Sequence, residues 1–174
     1  MENVFERGGI RLRPMEPDDA DFFYTVENDS GEWGTSLFFT PRSLYFLKAY
    51  VQNSSNDIYE DKQLRMVIER SSDAERLGII DLFDFNLVCS RAEVGVFILM
   101  EFRSNGYAAT ALRILADYAF TYLRLMQLYA FVNAGNDAAA RLFESAGFDE
   151  TATLKKWFSF KGEYFDAKVF QLLG

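Results

Sequence analysis

The spacing of apolar and polar residues changes several times along the chain, and each change predicts an element. Ile10-Arg11-Leu12-Arg13 alternates apolar with basic residues and is closed by Pro14, which predicts a short strand. Pro17-Asp18-Asp19 combines an early proline with first-turn acids, the start expected of a helix whose apolar face carries Ala20, Phe22, Phe23 and Val26. From Asn28 to Thr40 the period is broken by Gly31, Trp33, Gly34, Phe38 and Phe39, as in an ordered loop. Thr40-Pro41 is expected to start a second helix bearing Leu44, Leu47, Lys48 and Val51, and residues 53–62 read as a polar connection.

Beyond Leu64 the pattern becomes that of strands. Leu64 to Glu69 predicts one, Leu77 to Phe85 a second, and the nearly all-apolar run Ala92 to Met100 a third, expected to be buried on both faces. Their closeness in sequence suits an antiparallel meander. After Phe102 to Ala108, Leu112, Leu115, Ala116, Ala119, Tyr122 and Leu123 recur every third or fourth residue, which predicts an amphipathic helix to about Arg124. Leu128 to Val132 predicts a strand, and Asp137 to Ala146 a short helix ended by Gly147. Thr153 to Phe160 and Tyr164 to Leu173 predict a hairpin around Lys161-Gly162. With no repeat, low-complexity tract or long linker, residues 1–174 are expected to form one α/β domain.

Composition narrows the chemistry by what is missing. There is no histidine, which excludes Ser-His-Asp and Cys-His nucleophile pairs, His-ligated metals and imidazole acid-base catalysis. The single Cys89 excludes an internal disulfide and a Cys-rich zinc site, so no metal is expected. Proton transfer is left to Asp, Glu, Tyr, Lys, backbone groups and water. A net charge of −8 disfavours nucleic acid and would attract cationic partners such as protonated amines, though it also serves solubility alone. The charged N-terminus and the lack of a long apolar run predict a cytoplasmic protein with no membrane partner. Aromatics at 17% point first to packing and second to a homo-oligomer contact.

The segment Arg103-Ser104-Asn105-Gly106-Tyr107-Ala108 falls between a buried strand and a long helix. A helix start presents unpaired N–H groups backed by its dipole, and so forms an anion site. Gly106 permits close backbone approach, Ala108 keeps the helix entrance small, and Arg103 adds positive charge. Alone, such a string also fits a plain loop. In context it resembles the GNAT superfamily of acetyl-CoA-dependent N-acetyltransferases. Arg103, Gly106 and Ala108 match that family's Gln/Arg-x-x-Gly-x-Gly/Ala diphosphate loop in order. Asn136 stands where an asparagine opening the short helix contacts the cofactor, and Leu142-Phe143-Glu144-Ser145-Ala146-Gly147-Phe148 resembles the family's closing Leu-Tyr/Phe-x-x-x-Gly-Phe. The resemblance runs from Ile10 to the final hairpin; from Glu93 onward it is most similar to the spermidine and ribosomal-protein-alanine acetyltransferase branches, and Trp157 to Asp166 resembles their terminal hairpin.

The resemblance implies a mixed, mostly antiparallel central sheet with splayed middle strands, flanked by helices. It implies acetyl-CoA as co-substrate, with its pantetheine arm along the exposed strand edge near Phe97, Ile98 and Leu99. The acceptor is then a primary amine, a polyamine such as spermidine or alternatively a protein N-terminus. Phe143 occupies a position that is tyrosine in many relatives, whose hydroxyl protonates the departing thiolate. Phenylalanine has no such proton, so a weakly catalytic acetyl-CoA sensor is an alternative of another class. Tyr107, Tyr129 and Tyr164 are candidate substitutes. Of the acids Glu27, Asp29, Glu32, Asp81, Asp84 and Glu93, the best candidates to bind or deprotonate the amine are Glu32 and Glu93; the competing reading of each is an ordinary surface or ion-paired acid.

Overall fold

The structure is a computed structural model that describes residues 3–33 and 40–174. Gly34, Phe38 and Phe39 of the expected loop lie outside the described residues. Glu6–Arg7 (β1) and Ile10–Pro14 (β2) come first, followed by a 3-10 turn at Pro17–Asp19 and helix α1, Ala20–Glu27. Helix α2 is Leu44–Asn53 and α3 is Ile58–Asp61. Strands β3 (Leu64–Arg70), β4 (Arg76–Asn86) and β5 (Arg91–Ile98) form the expected antiparallel meander. Then come α4 (Tyr107–Thr121), β6 (Gln127–Asn133), α5 (Asp137–Ser145), β7 (Asp149–Phe160) and β8 (Glu163–Leu173).

These strands make one sheet in the order β1-β2-β3-β4-β5-β6-β8-β7. Every pairing is antiparallel except that of β5 with β6. The β5–β6 pairing covers only Arg91–Glu93 against Gln127–Tyr129. Past that point β5 stays with β4 to Ile98 while β6 stays with β8 to Asn133, so the middle of the sheet opens into a cleft.

A core fills each face. On one, α4 and α5 pack Leu112, Leu115 and Phe143 onto Ile80, Leu82, Val94 and Phe170. On the other, α1 and α2 lay Phe23, Leu47 and Val51 over Val67 and Ile79. Burying one such side chain contributes about 1.5–3 kcal/mol. Beside the smaller core sits a network of charges. Asp19, 0% exposed, takes guanidinium bonds from Arg13 and Arg76, while Glu69 takes them from Arg11 and Arg13. Burial opposes ionisation of both acids, but these bonds outweigh it and hold both below the usual carboxylate range.

Three expectations are corrected. Helix α2 starts at Leu44 and not at Thr40-Pro41, because the Ser43 hydroxyl accepts the Phe46 N–H and caps it. The connection at 53–62 contains α3, capped by Asp57 through the Tyr59 N–H. The third strand is not buried on both faces: Gly95, Val96 and Phe97 are half-buried where β6 has departed, and Glu93 is half-buried at the last rung the two strands share.

Candidate active site

The loop after β5 is built to leave main-chain donors facing outward. Ser104 has φ +63° and Gly106 φ +78°, and the Asn105 side chain braces the turn by donating to the Phe102 and Arg103 carbonyls at 3.1 and 3.0 Å. Gly106 is the N-cap of α4, and no side chain caps that end. The first turn of α4 therefore presents unpaired N–H groups at the positive end of the helix dipole. A Cβ built on Gly106 meets nothing within 4 Å. The residue thus supplies the left-handed φ and leaves open space where a diphosphate can approach. Tyr107 and Ala108 pack against the larger core and fix the direction of the helix.

Arg103 is placed differently from expectation. Its Nε donates to the Ile98 carbonyl at 2.9 Å, its Nη2 lies 3.0 Å from a Glu32 carboxylate oxygen, and its guanidinium sits over the Phe97 ring. It bridges the loop, the end of β5 and the segment after α1.

The open edge of β5 also needs correction. Leu99 N–H donates to the Leu77 carbonyl of β4, so the main chain of Leu99 faces away from the cleft. Polar groups alternate sides along a strand, so Phe97 faces β4 as well, and Val94, Val96 and Ile98 own the open edge. Of the expected trio only Ile98 belongs there, and its carbonyl is the one Arg103 reaches. The sequence run alone did not show which alternate set was free, so Val94 and Val96 were missed.

Asn136 is the N-cap of α5, its Oδ1 accepting the Ala139 N–H at 3.0 Å. Phe143 is 6% exposed, with its ring against Phe148 and Phe170 at centroid distances of 5.2 and 5.8 Å. It presents almost no surface to a cofactor, which corrects the expected contact. The aromatic core selects phenylalanine because a tyrosine hydroxyl there needs a partner.

The acids divide into two groups. Glu27 and Asp81 both hold the Arg65 guanidinium, at 2.6 and 2.8 Å, beside a groove of about 390 Å³ lined by Phe46, Tyr50, Asp61 and Gln63. Asp29 accepts the Gly31 N–H. Glu32 is paired with Arg103, as above. Asp84 and Glu93, in contrast, form no ion pair among the described residues. Glu93 pairs with Phe83 of β4 and Tyr129 of β6 at the last rung before the strands part. Tyr129 donates its hydroxyl to Asp84, across β5. Burial first, then the charge of Asp84, pushes the Glu93 carboxyl up to about 7. Of the three candidate tyrosines only Tyr129 stands here; Tyr107 packs on the core and Tyr164 is exposed on the terminal hairpin. Burial and the bond to Asp84 keep the Tyr129 hydroxyl protonated well above its usual range.

Such a vertex, holding two acids without an ion pair among the described residues where the edge of β5 opens, suits a cationic amine. Residues 10–149 match the family model described as an acetyltransferase (GNAT) domain. A spermidine N(1)-acetyltransferase of Escherichia coli K12 is 29% identical, covering 91% of this chain and 82% of that protein. The putative ribosomal N-acetyltransferase YdaF of Bacillus subtilis is 30% identical over 94% and 91% of the two chains. A spermidine N-acetyltransferase from Vibrio cholerae superposes in its crystal structure with CoA and spermine at a TM-score of 0.84, with 28% identity and 95% of each chain covered. Its dodecameric structure in an intermediate state superposes at 0.79, with 27% identity over 95% and 94%.

Proposed function

Because this chain belongs to the GNAT family and is an N-acetyltransferase, we propose that its acceptor is a polyamine such as spermidine, whose terminal ammonium docks at Glu93. The observation that carries this reading is the half-buried Glu93 with the exposed Asp84 beside it, neither in an ion pair among the described residues, at the point where β5 and β6 part. A carboxylate pair of this kind attracts an ammonium and rejects neutral or anionic groups. The similarity to spermidine acetyltransferases of Escherichia coli and Vibrio cholerae supports the same choice. Glu32, 15% exposed and held by Arg103, lies on the acceptor side and helps to set the charge of the cleft.

Acetyl-CoA fits the remaining features. The N–H groups at the start of α4, with Ser104, Asn105, Gly106, Tyr107 and Ala108 shaping the turn, hold its diphosphate. The edge of Val94, Val96 and Ile98 receives its peptide-like arm, and Asn136 offers an amide beside the cleft. Acetyl-CoA supplies the acetyl group, which passes to the amine nitrogen as the thioester carbon–sulfur bond breaks. Glu93 takes the proton that the ammonium must lose, directly or through water. A main-chain N–H on the β5 edge stabilises developing charge on the carbonyl oxygen. With Phe143 in the core, the sulfur takes its proton from water. Assembly into a homo-oligomer belongs to the same reading, supported by the dodecameric relative and tested by light scattering.

Thiol release from acetyl-CoA, followed across spermidine, spermine, amino acids and N-terminal peptides, tests the acceptor. Saturable turnover with spermidine and none with peptides is expected. Turnover with peptides alone would favour the protein N-terminus, and binding without any turnover would favour the sensor.

A further inference from the structure

The ladder between β4 and β5 contains one irregularity, and it falls beside Glu93. Phe83 pairs with Glu93 and Asn86 pairs with Arg91, so Asp84 and Phe85 together oppose the single residue Ala92. This is a β-bulge, with Asp84 at φ +47°. Its effect on side-chain direction follows from alternation. Leu82 and Ala92 face the core under α4, and an unbroken ladder would set residue 84 opposite Ala92, turning its carboxylate into that core. The extra residue delivers Phe85 to the core instead and turns Asp84 to the opposite face. There its carboxylate reaches over β5 to the hydroxyl of Tyr129, two strands away. Glu93 lies on the strand so bridged, with Tyr129 as its neighbour on β6.

From this geometry we infer that Asp84 is a positioning residue for acetyl transfer, which acts through Glu93. The bulge sets a second carboxylate beside Glu93 and anchors it on Tyr129, so its charge acts on the acid that receives the ammonium. The inference rests on the reading of Glu93 as the group that receives the amine. Among the described residues, the charged and titratable groups around Glu93 are Asp84 from β4 and Tyr129 from β6, with Arg91 of β5 acting on Tyr129. Of these only Asp84 is an anion next to it. Its charge keeps Glu93 protonated to higher pH, and a bound ammonium relieves the repulsion between the two carboxylates. Left-handed backbone is uncommon outside glycine, and aspartate is among the residues that adopt it. A bulge that places such a residue beside a cleft is a device for aiming a side chain.

Asp84→Asn keeps the shape and the oxygen that accepts from Tyr129 but removes the charge. Two readouts are taken: the carbon-13 carboxyl titration of Glu93, which needs no turnover, and the acid limb of kcat/KM for spermidine. Both are expected to move down by about one pH unit, the scale of a like-charge contact, while KM for spermidine rises. Asp84→Gly accepts the left-handed backbone without strain and removes the whole side chain, so it repeats the test should the asparagine variant fold poorly. A Glu93 titration that stays in place in both variants would overturn the inference. If the titration moves but Glu93→Gln leaves the acid limb unaltered, Asp84 does tune Glu93 and the assignment of Glu93 to the amine is what fails.

Discussion

Arg103 and Glu32, from opposite sides of the cleft, meet at 3.0 Å. The arginine belongs to the loop before α4, proposed to hold the diphosphate, and the glutamate follows α1, on the side proposed to take the acceptor. The contact ties the two binding surfaces together before any ligand arrives. It also competes with a diphosphate for the same guanidinium. Glu32→Gln should release Arg103 toward the cofactor. A partly exposed pair of this kind contributes on the order of 1 kcal/mol, so the dissociation constant for CoA, measured by calorimetry, should fall by about fivefold. A weaker complex in the variant would mean that Glu32 serves to aim Arg103.

Gly106 offers a sharper test of the diphosphate cradle. A Cβ at φ +78° costs about 1–2 kcal/mol in any L residue, and the new methyl occupies the space now open. Gly106→Ala is expected to lower the melting temperature modestly and to weaken CoA binding by about tenfold or more, from lost N–H contacts of 1.5–3 kcal/mol each. Unchanged affinity would place the diphosphate elsewhere.

Phe143→Tyr should not rescue a missing proton donor. The ring lies between Phe148 and Phe170, and a hydroxyl buried there without a partner costs about 1–3 kcal/mol. Lower thermal stability with no rise in kcat is the expected result. A faster enzyme would show that the hydroxyl finds the cleft.

Two pH dependences of stability should have opposite signs. Glu93 titrates higher in the folded chain, near 7, than in the unfolded chain. The folded state therefore binds the extra proton between the two values, and stability falls as pH rises through that window. Glu93→Gln should raise the melting temperature above pH 7 and change it little below pH 4, about where an unfolded glutamate titrates. Asp19 and Glu69 are held low. Their contribution is complete above the unfolded carboxylate range, about pH 4, and is lost as pH falls through their folded values.

Removing Asp19 altogether takes the carboxylate from Arg76 and leaves Arg13 with Glu69 as its remaining acid. Breaking a buried pair in this way typically costs 3–5 kcal/mol, so Asp19→Ala should shift the denaturant midpoint strongly, with CoA affinity per folded molecule retained. A shift below about 1 kcal/mol would mark the network as no stronger than exposed pairs.

Local rules made much of this chain legible. The α4 periodicity, the proline and acids before α1, and Lys161-Gly162 at the hairpin each act over a few residues, and the elements they predict are present. The placement of Gly106 before a helix was legible for the same reason. What escaped depends on distant partners. β1 is only two residues long and exists because β2 offers it a ladder. The extra residue at Asp84 is a register property of two strands, visible only when β4 is laid against β5. Arg103 could be named as a cation beside the loop, but its attachment to Ile98 and Glu32 requires the fold. The run from Ala92 looked buried on both faces because hydrophobicity does not reveal that a neighbouring strand will leave.

The three rungs between β5 and β6 have a thermodynamic corollary. They make the sheet two leaves, β1 to β5 and β6 to β8, joined along a short seam. A ligand that fills the gap stabilises only the folded arrangement, by about 2.7 kcal/mol when present at a hundred times its dissociation constant. The lifetime of the folded chain then follows the supply of its co-substrate, so that a molecule short of acetyl donor is also one more readily unfolded and degraded.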